Sequence, residues 1–245
     1  MSKPRSVEAE FKERSLLLPV NDLYAGHWAK SRLDSFHSYN VASLVPRGFE
    51  RYARILHPAW KSGGWQRFPL TWADVAARSG RRCHALMQWP RIVGSMISGV
   101  DIEPPDAGTL PWPVSGPLRA ILAGHTDWEL CWFGMWSSYG QFYQDYVPKT
   151  KSIEFHTGTG HEWDLYRAPL GMLGTSFIHL GHETAGLVWA NDRSWWMSAG
   201  IELHSSYIGG TTNLIEDILS APELEAWPSS PDDNITIDSD TLNSL

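Results

Sequence analysis

Three short stretches set histidine beside an acid, and each is a candidate for chemistry. In "HLGHE", residues 179–183, His179 and His182 stand three apart. With His204 they could bind zinc, whose catalytic sites need three rigidly held protein ligands. Gly181 between them and the lack of an HExxH pattern favour a loop with surface histidines, so no metal is expected. In "GHTDWE", residues 124–129, His125 and Asp127 are of types suited to general acid–base work. "HEWD", residues 161–164, has the same form. Such neighbours also arise as turn caps, and no GxSxG elbow supplies a nucleophile. A small-molecule hydrolase built on His125 and Asp127, or on the three histidines, is therefore the alternative reading.

A second group points to binding. "NDRSW", residues 191–195, puts Arg193 at the entrance of the strongest strand pattern, where a guanidinium could grip a carboxylate or phosphate. The plainer reading is an Asn-Asp turn whose arginine pairs with a nearby acid. From Trp195, the residues Trp195, Met197, Ala199, Ile201 and Leu203 share one face of a strand, and Trp196, Ser198, Gly200, Glu202 and His204 the other. The first face reads as core. The second is predicted to be exposed, which makes Trp196, Glu202 and His204, with Arg193, the candidate binding residues. An exposed tryptophan beside polar groups is the sort of anchor that interfaces use.

The elements that must carry these residues follow from spacing. Phe49, Tyr52, Ala53 and Leu56 fall on one helical face, ended by Pro58, and "VASLV", residues 41–45, reads as a strand or its lead-in. Thr71, Asp74 and Gly80 bracket a short capped helix. Residues 99–117, rich in proline and glycine, predict an irregular connection, followed by a short helix with Ser115 as its cap. "LCWFGMW", residues 130–136, is apolar at both parities and fits a strand buried on both faces. "SIEFHT" and "HEWDLYRAPL" alternate as half-exposed strands. Asn213 and Glu216 have the form of a capping box before the stripe Leu214, Ile215, Ile218 and Leu219. Gly209 and Gly210 are expected at a tight reversal; they lack phosphate-loop spacing, and no cofactor is expected.

The fold class is therefore α+β: a central, mostly antiparallel sheet packed by short helices. Residues 1–40 read as a loosely packed N-terminal arm, 41–220 as a single domain, and 221–245 as an acidic flexible tail, removable from about Ser229 without loss of stability. Cys83 and Cys131 are the only cysteines, which excludes a disulfide scaffold and a cysteine zinc cluster. Pro19 interrupts the only N-terminal apolar run, and nothing approaches the roughly 18 to 20 apolar residues of a membrane span, so a cytoplasmic protein without membrane contact is expected. Charge is polarised. Residues 47–91 carry nine Lys or Arg against two acids, whereas 92–245 carry five against twenty. Either the two parts attract one another or each offers its own surface. Nucleic acid is not expected as a partner, because a nucleic-acid binder would keep its basic footprint without so large an acidic counterpart.

The runs "VPRGFERYARILHPAW", "CWFGMWSSYG", "LYRAPLG" and "WANDRSWWMSAGIELHSSYIGG" resemble a group of uncharacterised actinobacterial proteins over most of residues 41–219. That resemblance implies a fold unit and no activity. The order of elements, ending in a Trp-rich strand, "YIGG" and a helix, also resembles immunity proteins of the SUKH superfamily, which neutralise partner toxins. The reading of the whole is a non-enzymatic, immunity-like module that binds an unidentified protein partner.

Overall fold

A computed structural model describes residues 16–20, 22–63, 66–94, 102–127, 129–139, 147–176 and 183–243. In chain order the elements are β1 (Leu18–Pro19), α1 (Tyr24–Lys30), β2 (Arg51–Leu56), β3 (Ala59–Gly63), β4 (Gln66–Leu70), α2 (Trp72–Ser79), α3 (Trp89–Val93), β5 (Ile102–Glu103), α4 (Trp112–Ala123), β6 (Leu130–Trp136), β7 (Ser152–Glu154), β8 (Glu162–Pro169), β9 (Leu187–Trp189), β10 (Trp196–Ala199), β11 (Ser205–Gly210), α5 (Thr212–Ser220) and β12 (Ala226–Ser229). Nine strands form one antiparallel sheet in the order β1-β8-β6-β9-β10-β11-β2-β12, with β7 also on β8. A separate sheet runs β4-β3-β5. The α+β class is thus the observed one. Among the described residues no helix is long and apolar enough to cross a membrane.

The large sheet is covered on both sides, and this decides most of the local structure. One face carries Ala53, Ile55, Phe133, Tyr166, Val188, Met197 and Ile208 against the apolar stripes of α4 and α5. The other carries Tyr52, Leu165, Trp189, Trp196 and Tyr207 against α1 and the turns around Val41 and Val45. A strand buried on both faces is apolar at every parity, so its residues also satisfy a helical spacing. That is why 51–56 is a strand paired on both edges, with β11 and β12, where the spacing predicts a helix. The Thr71–Asp74 capping box and the left-handed Gly80 are present. The stretch 41–43 is a 3-10 turn instead of a strand, and α4 begins at Trp112, ahead of Ser115. For α5 the cap is Thr211, whose hydroxyl accepts from the Leu214 N–H. Gly209 and Gly210 lie within β11 and make room instead of a reversal: a Cβ at Gly209 would stand 2.5 Å from Phe49, and one at Gly210 2.7 Å from Leu214.

The C-terminal segment is docked, contrary to its acidic, tail-like composition. Strand β12 lines the edge of β2. Beyond it, Val41 and Ala42 donate their N–H groups to the Asp233 and Pro231 carbonyls, and Ile235 donates to Tyr39. Asp240 is 1% exposed and accepts from the Gln88 N–H, from His84 and from Asn243. The described part of the N-terminal arm is tied down as well, with Leu17, Val20 and Ala29 buried. Charge polarity accounts for the tail. Arg47 bridges Asp34 and Asp232, each at 2.6 Å, and Arg91 reaches Asp238 and the Ile237 carbonyl. Arg51 meets Glu216, while Arg67 meets Glu103 and Asp106. The basic segment and the acidic remainder attract one another within the molecule. Exposed pairs of this kind contribute only about 0–1 kcal/mol each, so they orient the segment more than they stabilise it.

Candidate functional site

The β10 side chains alternate as the sequence predicts, but the strand ends at Ala199 and a turn carries Ile201 to Leu203 back into β11. Trp196 is 0% exposed and packs within the second core. It is one of three indoles in register across β6, β9 and β10: Trp132 stacks on Trp189 (5.9 Å, 8°) and Trp189 on Trp196 (4.6 Å, 19°). The Arg167 guanidinium covers the outer end at 5.3 Å from Trp132. The Trp196 indole N–H donates to the Leu44 carbonyl at 3.0 Å. The expected exposed binding face on this strand is therefore corrected: Trp28 of α1 and the turn at residues 41–45 cover it.

Beside the Trp196 end of this row that cover is incomplete, and a cavity of about 290 Å³ remains. Trp196, Ser198, Leu187 and Trp163 form its sheet-side wall, and Leu33, Phe36 and Tyr39 enclose it from the arm. Ile235 closes it from the C-terminal segment, held in place by its bond to Tyr39. The polar rim comes from His156, His161 and Glu202. A hairpin loop with left-handed Gly158 and Gly160 joins β7 to β8 and brings the two histidines together. The Glu154 carboxylate fixes that loop by accepting the Gly160 N–H at 2.8 Å. Phe36 stands edge-on to His161 at 4.6 Å and to His156 at 5.7 Å. Burial pushes the His156 imidazole below its ordinary value, against a backbone hydrogen bond at Ser43 that favours the cation. Ser198 is 2% exposed, and its hydroxyl makes no hydrogen bond to another described residue. A hydroxyl that lines a cavity with an otherwise apolar wall is what a ligand's polar end would meet.

The remaining candidates disperse. Arg193 occupies a left-handed turn position (φ 65°) and lies over Trp28 at 5.5 Å, while the Asp192 carboxylate accepts from the Ser194 N–H in the expected turn. His204 does not line the cavity; burial lowers its pKa, with a backbone hydrogen bond at Pro105 opposing. Of the four binding candidates, only Trp196 and Glu202 reach the site. His125 pairs at 2.7 Å with Asp217 of α5, a surface contact that leaves Asp127 aside. His179 and His182 lie outside the described residues, and among the described residues no three His, Cys, Asp or Glu side chains are placed to hold a metal ion. The sequence reading missed Phe36 and Tyr39, placed in a loose arm, and Ile235, placed in a free tail. The signal for His156 and His161 was present in "FHTGTGHEW", whose two glycines between strands mark a tight hairpin.

Comparison of the chain with protein-family models, with curated proteins and with solved structures finds no match.

Proposed function

We propose that the protein is a non-enzymatic binding module that takes a small, ring-sized apolar ligand into the Trp196 cavity. The observation that carries this reading is an aromatic-walled cavity lined by Ser198, whose hydroxyl makes no hydrogen bond to another described residue. A cavity of about 150 Å³ accepts a benzene ring, so about 290 Å³ suits a fused bicycle. Ser198 would receive its polar substituent, and His156 or Glu202 would meet a second polar atom at the rim. The protein-binding face expected on β10 is covered at Trp196; the immunity-like partner rests on the resemblance in element order and is a separate reading. Cys83 and Cys131 are both free thiols, which suits a reducing, cytoplasmic setting.

A bicyclic ligand of about ten heavy atoms, at about 0.7 kcal/mol per atom, would bind with a Kd on the order of 10 µM. Isothermal titration calorimetry with 2-naphthol and naphthalene tests this. Saturable binding of both is expected, with naphthol the tighter and its advantage lost in Ser198→Ala. Absence of saturable binding by either compound would refute the proposal.

A further inference from the structure

The three-stranded sheet carries a second concave site, unrelated to the Trp196 cavity. In the β4-β3-β5 register, Trp60 stands opposite Glu103 and Ser62 opposite Arg67, so these four side chains share one face. The Arg67 guanidinium lies over the Trp60 indole at 4.5 Å. It pairs with Glu103 at 3.0 Å and with Asp106 at 3.2 Å, while the Trp60 indole N–H donates to the other Asp106 oxygen at 3.1 Å. Ser62 donates to Glu103. Every charged member thus has two or more partners, and the arrangement is fixed before any ligand arrives. Trp112, the first residue of α4, stands beside it with its ring centre 6.3 Å from that of Trp60. It is 68% exposed, and with Trp60, Arg67 and Asp106 it lines a cavity of about 270 Å³.

We infer that this is a binding site for a neutral saccharide ring. Three features select that chemistry. The open Trp112 indole offers a negative π-face to the weakly positive C–H face of a pyranose. The Asp106–Arg67 pair sets an acceptor and a donor side by side, as two neighbouring ring hydroxyls require. The charge excludes the anionic rivals. One guanidinium faces two carboxylates, which repels phosphates and carboxylates; each Asp106 oxygen has one partner and keeps a lone pair for a ring hydroxyl, and choline tests the cationic rival.

The test is nuclear magnetic resonance of the full chain, following the indole N–H signals of Trp112 and Trp60. Glucose, galactose and mannose, choline chloride and inorganic phosphate are titrated separately. At least one pyranose is expected to shift the Trp112 signal saturably, and Trp112→Ala to weaken its binding by about tenfold or more, followed at Trp60. Because Trp112 is exposed, that variant should keep the wild-type melting temperature. Arg67→Lys, which keeps the charge and loses the planar fork, should weaken the sugar as well. No shift with any pyranose, equal binding by Trp112→Ala, or saturable shifts with choline or phosphate in place of sugar would overturn the inference.

Discussion

Replacing Asp240 with alanine should unfasten the C-terminal segment. The carboxylate accepts the Gln88 N–H at 3.1 Å, His84 at 2.8 Å and both the backbone and side-chain N–H groups of Asn243 at 3.0 to 3.2 Å. Burial works to raise its pKa, and these hydrogen bonds more than offset that, so the group is held below its ordinary value. Removing the acceptor leaves several donors in a site closed to water. Hydrogen bonds to a charged group contribute about 1.5–3 kcal/mol each, and breaking a buried charged cluster costs about 3–5 kcal/mol. Part of this is offset because the aspartate no longer has to be desolvated, which leaves an expected loss of about 3 kcal/mol. For a chain of this length that lowers Tm by about 6–12 °C. The control is Asp238→Ala, whose side chain is 85% exposed and touches Arg91 only at 3.7 Å; it should change stability by less than about 0.5 kcal/mol. Urea midpoints of the two variants are compared with wild type. If Asp240→Ala behaves like Asp238→Ala, or if a chain ended at Pro228 melts like the full one, the segment is a solvated tail.

Two further outcomes are expected. His57 is fully buried between the Asp106 carbonyl and the Ser206 hydroxyl, and desolvation lowers its pKa from 6.5 to about 4. The unfolded chain then binds the extra proton between those values, so stability is full above about pH 6.5 and falls by about 3 kcal/mol as pH drops towards 4. His57→Gln should flatten that slope in pH-resolved denaturation, and an unchanged slope would assign it to other groups. The stacked indoles of Trp132, Trp189 and Trp196 should give exciton-coupled circular dichroism bands of opposite sign. Trp189→Phe, which keeps most of the apolar bulk, should weaken them, leaving the contribution of the Trp28–Trp196 and Trp72–Trp89 pairs; an unchanged couplet would mean that the row is not stacked.

What was legible in the sequence is what depends on local chemistry. The Thr71–Asp74 cap, the two-sided strand at 130–136 and the alternation of Trp195 and Trp196 follow from residue type and period. What was not legible depends on long-range cover. Trp196 has the same neighbours in sequence whether its face meets water or the turns around Leu44, 152 residues away. The acidic C-terminal segment likewise reads as disordered by composition, because few of its residues are apolar. Its partners are Arg47, His84, Gln88 and Arg91, and its order comes from hydrogen-bonded polar groups. The cavity is assembled from the arm, the sheet, the β7–β8 hairpin and this segment, so no single stretch of sequence announces it.

The most direct test of the central proposal is where a bicyclic probe sits. Nuclear Overhauser contacts between 2-naphthol and the protein, measured at saturating probe, are predicted from the naphthyl protons to Trp196, Leu187 and Leu33, with the hydroxyl end near Ser198. Contacts confined to exposed side chains such as Tyr24 and Phe68, with none to Trp196, would contradict a ligand-binding cavity on this sheet.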